Sequence, residues 1–105
     1  MIKRAGINVS PAEVETLLLQ YPGVAQAAVV GAAAGERGEA IVAFVVAAAG
    51  AHLDYEALRA HCRAMASSYK VPDRIEICAA LPTTETGKLL RRELRARAVV
   101  LVEGA

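Results

Sequence analysis

Apolar residues recur at helical spacing in three segments of the chain. Ser10 can cap the first segment, Pro11 suits its first turn, and Tyr21-Pro22-Gly23 ends it. Asp54 can cap the second segment, and residues 88–97 form the third, which is strongly basic. The predicted inward faces of these helices consist of Val14, Leu17, Leu18, Leu58, Cys62, Met65, Leu90 and Leu94.

Three further segments predict β-strands because they are rich in β-branched residues. They cover residues 24–30, 40–48 and 74–79. The third segment alternates between apolar and other residues, so Ile75 and Ile77 are predicted to face inward.

The elements follow one another as a short hairpin, then α, β, β, α, β and α. The hairpin turns at Ala5-Gly6, and a loop over residues 31–38 joins the first two strands of the sheet. Strands joined by a short turn are antiparallel. We therefore predict an α+β fold with a small three-stranded, mainly antiparallel sheet flanked by helices, preceded by the N-terminal hairpin. A length of 105 residues fits one such domain.

Composition and charge exclude several classes of protein. The chain is 55% hydrophobic and 22% charged, which excludes disorder, and its net charge of +1 argues against a binder of polyanions. The most apolar stretch, residues 24–51, is interrupted by Glu36, Arg37 and Glu39, which leaves runs shorter than the ~20 residues of a membrane span. The N-terminus lacks the apolar segment of a signal peptide, so neither a transmembrane segment nor secretion is predicted.

Cysteines, histidines and the basic helix offer little chemistry of their own. Cys62 and Cys78 are isolated from each other, which argues against a disulfide framework and favours a reduced, cytoplasmic protein. His52 and His61 have no partners at metal-binding spacing, so no metal site is predicted. The basic last helix raises a nucleic-acid alternative, but the near-neutral total charge and the lack of an aromatic stacking platform argue against it.

One segment, residues 81–94, carries candidate chemistry. It places Lys88 directly after Gly87 at the junction of a polar loop and a helix. Glycine permits backbone conformations closed to other residues, and a lysine on its flexible stem can reach a phosphate or a carboxylate. A phosphate-binding P-loop is excluded, because Pro82 stands where that motif needs its first glycine and Leu89 follows the lysine. A plain helix start with a solvated lysine remains open beside a functional cation.

The same segment, written Pro82-Thr83-x-x-x-Gly87-Lys88-x-x-Arg91-x-x-Leu94, resembles the last conserved motif of the adenylate-forming superfamily. This superfamily includes acyl-CoA synthetases, luciferases and the adenylation domains of peptide synthetases. Three further segments resemble motifs of its mobile C-terminal domain, in the same order along the chain. They are Ile2-Lys3-x-x-Gly6-x-x-Val9-x-Pro11-x-Glu13-Val14-Glu15, Gly38-Glu39-x-x-Val42-Ala43-Phe44-Val45 and Tyr69-Lys70-Val71-Pro72. The resemblance therefore covers about the whole chain.

The resemblance implies a two-step acid–thiol ligase. In the first step a carboxylate attacks the α-phosphate of ATP, giving an acyl-adenylate and pyrophosphate. Lys88 would be the catalytic residue of this step, with Thr86 and Gly87 in the ATP and adenylate loop. In the second step the domain rotates and a thiol such as that of coenzyme A displaces AMP. Ala5 and Gly6 would then line the thiol channel.

The resemblance also implies partners outside this chain. ATP with Mg and coenzyme A would be substrates of a whole acyl-CoA synthetase, in which residues 1–105 form the mobile lid. A large N-terminal adenylating domain, absent here, would bind the carboxylic acid, and the lid alone is expected to be inactive. Tyr69, Lys70 and Arg74 are candidate contacts for the nucleotide of coenzyme A, although Asp73 stands where such ligases often have a basic residue. The alternative is a free-standing, non-catalytic binding or regulatory module of the same fold.

Overall fold

The computed structural model describes residues 1–67 and 70–103 of the chain. Within these ranges it contains a two-stranded hairpin, a three-stranded sheet and three α-helices. The predicted α+β class and the N-terminal hairpin are therefore confirmed. The strands are β1 (Ile2–Arg4), β2 (Ile7–Val9), β3 (Val24–Ala33), β4 (Glu39–Ala47) and β5 (Arg74–Cys78), and the helices are α1 (Pro11–Leu19), α2 (Tyr55–Met65) and α3 (Arg91–Glu103).

The three-stranded sheet has the order β3-β4-β5 and is mixed. Strands β3 and β4 pair antiparallel, from Val24 opposite Ala47 to Ala33 opposite Glu39. Strands β4 and β5 pair parallel, because α2 lies between them in the chain and provides the crossover that parallel neighbours require. The predicted three-stranded sheet is confirmed, and the predicted antiparallel pairing holds for one of its two strand pairs.

Helices cover both faces of the sheet. On one face, α3 packs Leu94 and Ala98 against Ala28, Val30 and Phe44. On the other face, α1 and α2 pack on the sheet. The buried cluster of that second face includes Val14, Leu17, Leu18, Val29, Ile41, Val45, Leu58, Cys62 and Ile75. Each fully buried Val, Leu or Phe side chain stabilises the fold by roughly 1.5–3 kcal/mol, so these two clusters hold the helices on the sheet.

Three residues predicted to lie in the core are placed differently. Met65 is 60% exposed, because it is the last residue of α2. Ile77 is 41% exposed, although Ile75 on the same strand is buried, so the cover over β5 ends between these two residues. Leu90 is only partly buried, because α3 begins one residue after it, and the buried positions of that helix are Leu94 and Ala98.

Both predicted helix caps form. The Ser10 hydroxyl accepts a hydrogen bond from the Glu13 backbone N–H at 3.4 Å. The Asp54 carboxylate accepts one from the Ala57 backbone N–H at 3.0 Å. Each bond satisfies a donor that the first turn of a helix leaves without a partner. The two caps fix where α1 and α2 begin.

The cysteines and His61 make contacts within the domain. Cys62 is buried and Cys78 half-buried, and both thiols are free. Burial raises the pKa of both thiols, and at Cys78 the nearby Glu76 carboxylate raises the pKa further. His61 Nε2 lies 2.9 Å from the Leu17 carbonyl oxygen, which joins α2 to α1. Within the described ranges, no group of three or more His, Cys, Asp or Glu side chains is arranged to hold a metal ion.

Candidate functional site

Lys88 is exposed on the loop between β5 and α3. The sequence predicted that a helix starts at this lysine, but α3 begins three residues later, at Arg91. The base of the loop is closed by a hydrogen bond from the Leu90 N–H to the Pro82 carbonyl at 2.9 Å. We refer to residues 82–90 as the lysine loop.

The tip of the lysine loop is fixed by hydrogen bonds of its own backbone. The Thr84 N–H donates to the Lys88 carbonyl at 2.8 Å, and the Gly87 N–H donates to the Thr84 carbonyl at 2.9 Å. Gly87 has a φ of 87°, a conformation that favours glycine over every other residue. These bonds hold the backbone while leaving the Lys88 side chain on the surface, where its ammonium can reach an anion on another body.

Thr84 is a site residue that the sequence analysis did not single out. Its hydroxyl oxygen accepts a hydrogen bond from the Lys88 backbone N–H at 3.0 Å and lies 3.0 Å from the Thr86 hydroxyl. A threonine that bonds nearby backbone is a common turn device, and this was the available signal. The two threonines therefore shape the loop from which Lys88 projects.

A three-residue contact ties the start of α3 to the rest of the domain. The Glu15 carboxylate oxygen Oε2 accepts hydrogen bonds from the Val29 N–H at 2.9 Å and from Arg91 Nη1 at 3.1 Å. The same Arg91 nitrogen donates to the Val29 carbonyl at 3.2 Å. Glu15 belongs to α1, Val29 to β3 and Arg91 to α3. We call this contact the edge clamp, because β3 is an edge strand of the sheet.

The second predicted part of the site is the hairpin turn at Ala5-Gly6. Both residues are exposed, with φ values of 51° and 81°. Two successive positive φ values are what a two-residue turn of type I′ requires between twisted strands. A side chain added at Gly6 would meet no atom within 4 Å, so the surface of the turn is open.

Glu39 and Asp73 hold this hairpin on the domain. The Glu39 carboxylate accepts a hydrogen bond from the Lys3 N–H at 2.9 Å. The Arg4 guanidinium forms an ion pair with Asp73 at 2.7 Å, and the other oxygen of that carboxylate accepts a bond from the Ile41 N–H at 2.7 Å. Asp73 was noted in the sequence only as a departure from a basic residue. Here it anchors the hairpin to β4.

A cleft beside the hairpin is lined by arginines. Its volume is about 410 Å³, and Arg4, Arg59, Arg63 and Val71 line it. The Arg59 guanidinium donates to the Pro72 carbonyl at 2.8 Å, whereas Arg63 is exposed. The sequence analysis missed the two arginines of α2, and their spacing of four residues was the only signal that they share a helix face. We call this feature the arginine cleft.

Two of the three predicted contacts for the nucleotide of coenzyme A pair with carboxylates of the domain itself. Tyr69 lies outside the described residues. Lys70 pairs with Glu13 at 2.8 Å, and Arg74 lies 4.0 Å from Glu76. Neither of these two basic residues lines the arginine cleft. Among the described residues, no hydrogen bond or ion pair joins the lysine loop directly to the hairpin turn, so the structure leaves them as two separate surface features.

The fold and these two loops define a small α+β domain that exposes a lysine on a hydrogen-bonded loop. Comparison with known families identifies the class of this domain. The family model described as the AMP-binding enzyme C-terminal domain matches residues 13–88, and the chain belongs to this family.

Known relatives of the chain are ligases. It is 44% identical over 95 residues to a long-chain-fatty-acid–CoA ligase of Escherichia coli O157:H7, covering 90% of this chain and 17% of that protein. It is 46% identical over 93 residues to the fatty acid–[acyl-carrier-protein] ligase ScoC of Streptomyces coeruleorubidus, covering 89% of this chain and 18% of that protein. The chain thus spans less than a fifth of the length of these relatives.

A solved structure shares the fold. The Mycobacterium tuberculosis fatty acyl CoA synthetase superposes with a TM-score of 0.86 at 33% identity, covering 96% of this chain and 20% of that one. In the part of the chain that the structure describes, no helix has the length and apolar character needed to cross a membrane.

Proposed function

We propose that residues 1–105 are the mobile C-terminal lid of an ATP-dependent acyl-CoA synthetase that acts in the cytoplasm. In this proposal Lys88 serves carboxylate adenylation, and the Ala5-Gly6 turn forms part of the thiol channel for thioester formation. The observation that carries it is the exposed Lys88 on a loop of fixed backbone, in a chain of the AMP-binding enzyme C-terminal family.

The adenylation step needs a cation at the point where two anions meet. An oxygen of the carboxylate attacks the α-phosphorus of ATP, the bond to the bridging oxygen breaks, and pyrophosphate leaves. A positioned ammonium stabilises the negative charge of that transition state and helps to hold the two anionic reactants together. Lys88 supplies the ammonium, and Thr86 and Gly87 place it against the nucleotide. ATP with Mg and the carboxylic acid bind on the large N-terminal domain.

The thioester step uses the other loop. The thiol sulfur attacks the acyl carbon of the adenylate, AMP leaves, and the thiol proton is lost. The hairpin turn bears only the methyl group of Ala5, which leaves room for the narrow arm that carries the thiol. Because the lysine loop and the hairpin turn are separate surface features, a rotation of the domain can present them in turn to one active site.

The arginine cleft is the best-supported contact for the anionic end of coenzyme A. It lies beside the hairpin that forms the thiol channel, since Arg4 directly precedes Ala5 and lines the cleft. Guanidinium groups bind phosphate through paired, charge-assisted hydrogen bonds. This assignment adds Arg59 and Arg63 to the candidates drawn from sequence.

The proposal is tested in a grafted ligase, in which residues 1–105 replace the matching C-terminal segment of the Escherichia coli long-chain-fatty-acid–CoA ligase. ATP–pyrophosphate exchange is measured with a panel of carboxylic acids. We expect exchange from the grafted ligase and none from the isolated chain. A folded graft that exchanges with no acid accepted by the parent enzyme would contradict the proposal and favour a non-catalytic module.

Replacement of Arg63 by alanine is expected to raise the KM of the grafted ligase for coenzyme A by about 10-fold, the effect of losing one charge-assisted hydrogen bond. Pyrophosphate exchange, which uses no thiol, should keep its rate. Pantetheine, which lacks the nucleotide phosphates, should be used equally well by both proteins. Arg97→Ala, which removes an exposed arginine from α3, is the matched control. An equal loss with pantetheine would refute the phosphate contact.

A further inference from the structure

The edge clamp joins the chain just after the lysine loop to the rest of the domain. Arg91 is the first residue of α3, three residues after Lys88, and Leu90 between them closes the base of the lysine loop on Pro82. Whatever fixes the start of α3 therefore also fixes the loop from which the ammonium projects.

Apolar packing alone does not fix where α3 begins along β3. Helix α3 packs on β3 and β4 through Leu94 and Ala98, and hydrophobic contact is non-directional. The bonds of the edge clamp are directional, since both backbone groups of Val29 are bound by side chains from two different helices. They determine where along β3 the helix begins.

We propose that Glu15 and Arg91 are positioning residues for adenylation, which place Lys88 by holding the start of α3 on Val29. The inference rests on the proposed function of Lys88. Arginine suits the role because a single guanidinium nitrogen reaches both the Glu15 carboxylate and the Val29 carbonyl, at 3.1 and 3.2 Å. The Glu15 carboxylate in turn accepts a hydrogen bond from the Val29 N–H.

The same geometry argues that the clamp acts more on position than on stability. The Arg91 side chain is 42% exposed and that of Glu15 is 17% exposed. An ion pair with an exposed partner such as Arg91 contributes little to folding. By contrast, a misplacement of about 1 Å at a reacting centre can lower a rate by ~10²-fold.

In the grafted ligase, Arg91→Ala and Glu15→Ala are each expected to lower the kcat of pyrophosphate exchange by about 10- to 100-fold. The KM for ATP and the rate of thioester formation from supplied acyl-adenylate should be unchanged, because the hairpin is anchored elsewhere, on Glu39 and Asp73. Arg92→Ala, at the exposed neighbouring position, is the matched control. In a Lys88→Ala background, Arg91→Ala should cause no further loss, because it acts through the lysine.

The conservative variants Arg91→Lys and Glu15→Gln keep a donor and an acceptor, so we expect intermediate exchange rates from them. They also test the inference if an alanine variant fails to fold. Exchange that stays at the control rate, equal losses in both half-reactions, or an added loss in the Lys88→Ala background would overturn it. A folded Lys88→Ala variant with undiminished exchange would instead overturn the proposed function itself.

Discussion

Replacing Lys88 by alanine is expected to lower the rate of carboxylate adenylation by ~10²–10³-fold, the usual effect of removing one preorganised group that stabilises transition-state charge. Thioester formation from supplied acyl-adenylate should continue at the unmodified rate, because that step uses the hairpin turn. The two half-reactions are measured in the grafted ligase as pyrophosphate exchange and as thioester release. The loop backbone should survive the change, since its hydrogen bonds use the Lys88 main chain only.

The control for this experiment is Arg92→Ala, which removes an exposed cation four residues further on. It should leave both half-reactions at the unmodified rate, which separates a specific ammonium from general loss of positive charge. Parallel losses in the two half-reactions of Lys88→Ala would contradict the assigned role, because they would point to damage of the domain and not of one chemical step.

Much of the fold follows from local sequence signals. The caps at Ser10 and Asp54 form where the sequence places them, because each depends on contacts within one turn of helix. The parallel pairing of β5 was not foreseen, because strand direction depends on the path that the chain takes through α2. The exposure of Ile77 beside the buried Ile75 was likewise not foreseen, because alternation along one strand does not encode which elements cover it.

The candidate site, like the fold, has features that the sequence predicts and features that it does not. The exposure of Lys88 and the tight turn at Ala5-Gly6 were predictable from glycine positions and motif spacing. The contacts that hold the two loops were not, because they join residues far apart in sequence. Arg91 and Glu15 are separated by 76 positions, and Arg4 and Asp73 by 69. A sequence motif indicates the position of a charged residue. Only the folded chain shows which residue it pairs with.

Gly38 occupies a position that the fold leaves open to glycine alone. Its φ is 86°, and a Cβ added there would lie 2.6 Å from the Lys3 carbonyl oxygen, on the first strand of the hairpin. We expect Gly38→Ala to lower the free energy of unfolding by about 2–4 kcal/mol, combining backbone strain with the forced shift of β1. Denaturant unfolding of the isolated chain measures this loss.

Gly35→Ala is the matched control, because Gly35 also has a positive φ, 66°, but an added Cβ would meet no atom within 4 Å. It should lose only the strain contribution, about 1–2 kcal/mol. The difference between the two variants therefore combines the contact with β1 and the costlier backbone conformation of Gly38, whose ψ is −111°. If that contact sets the hairpin, Gly38→Ala in the grafted ligase, assayed below its unfolding midpoint, should slow thioester formation far more than pyrophosphate exchange. Equal destabilisation by both variants would contradict this prediction, because it would show that the hairpin adjusts freely to a side chain at residue 38.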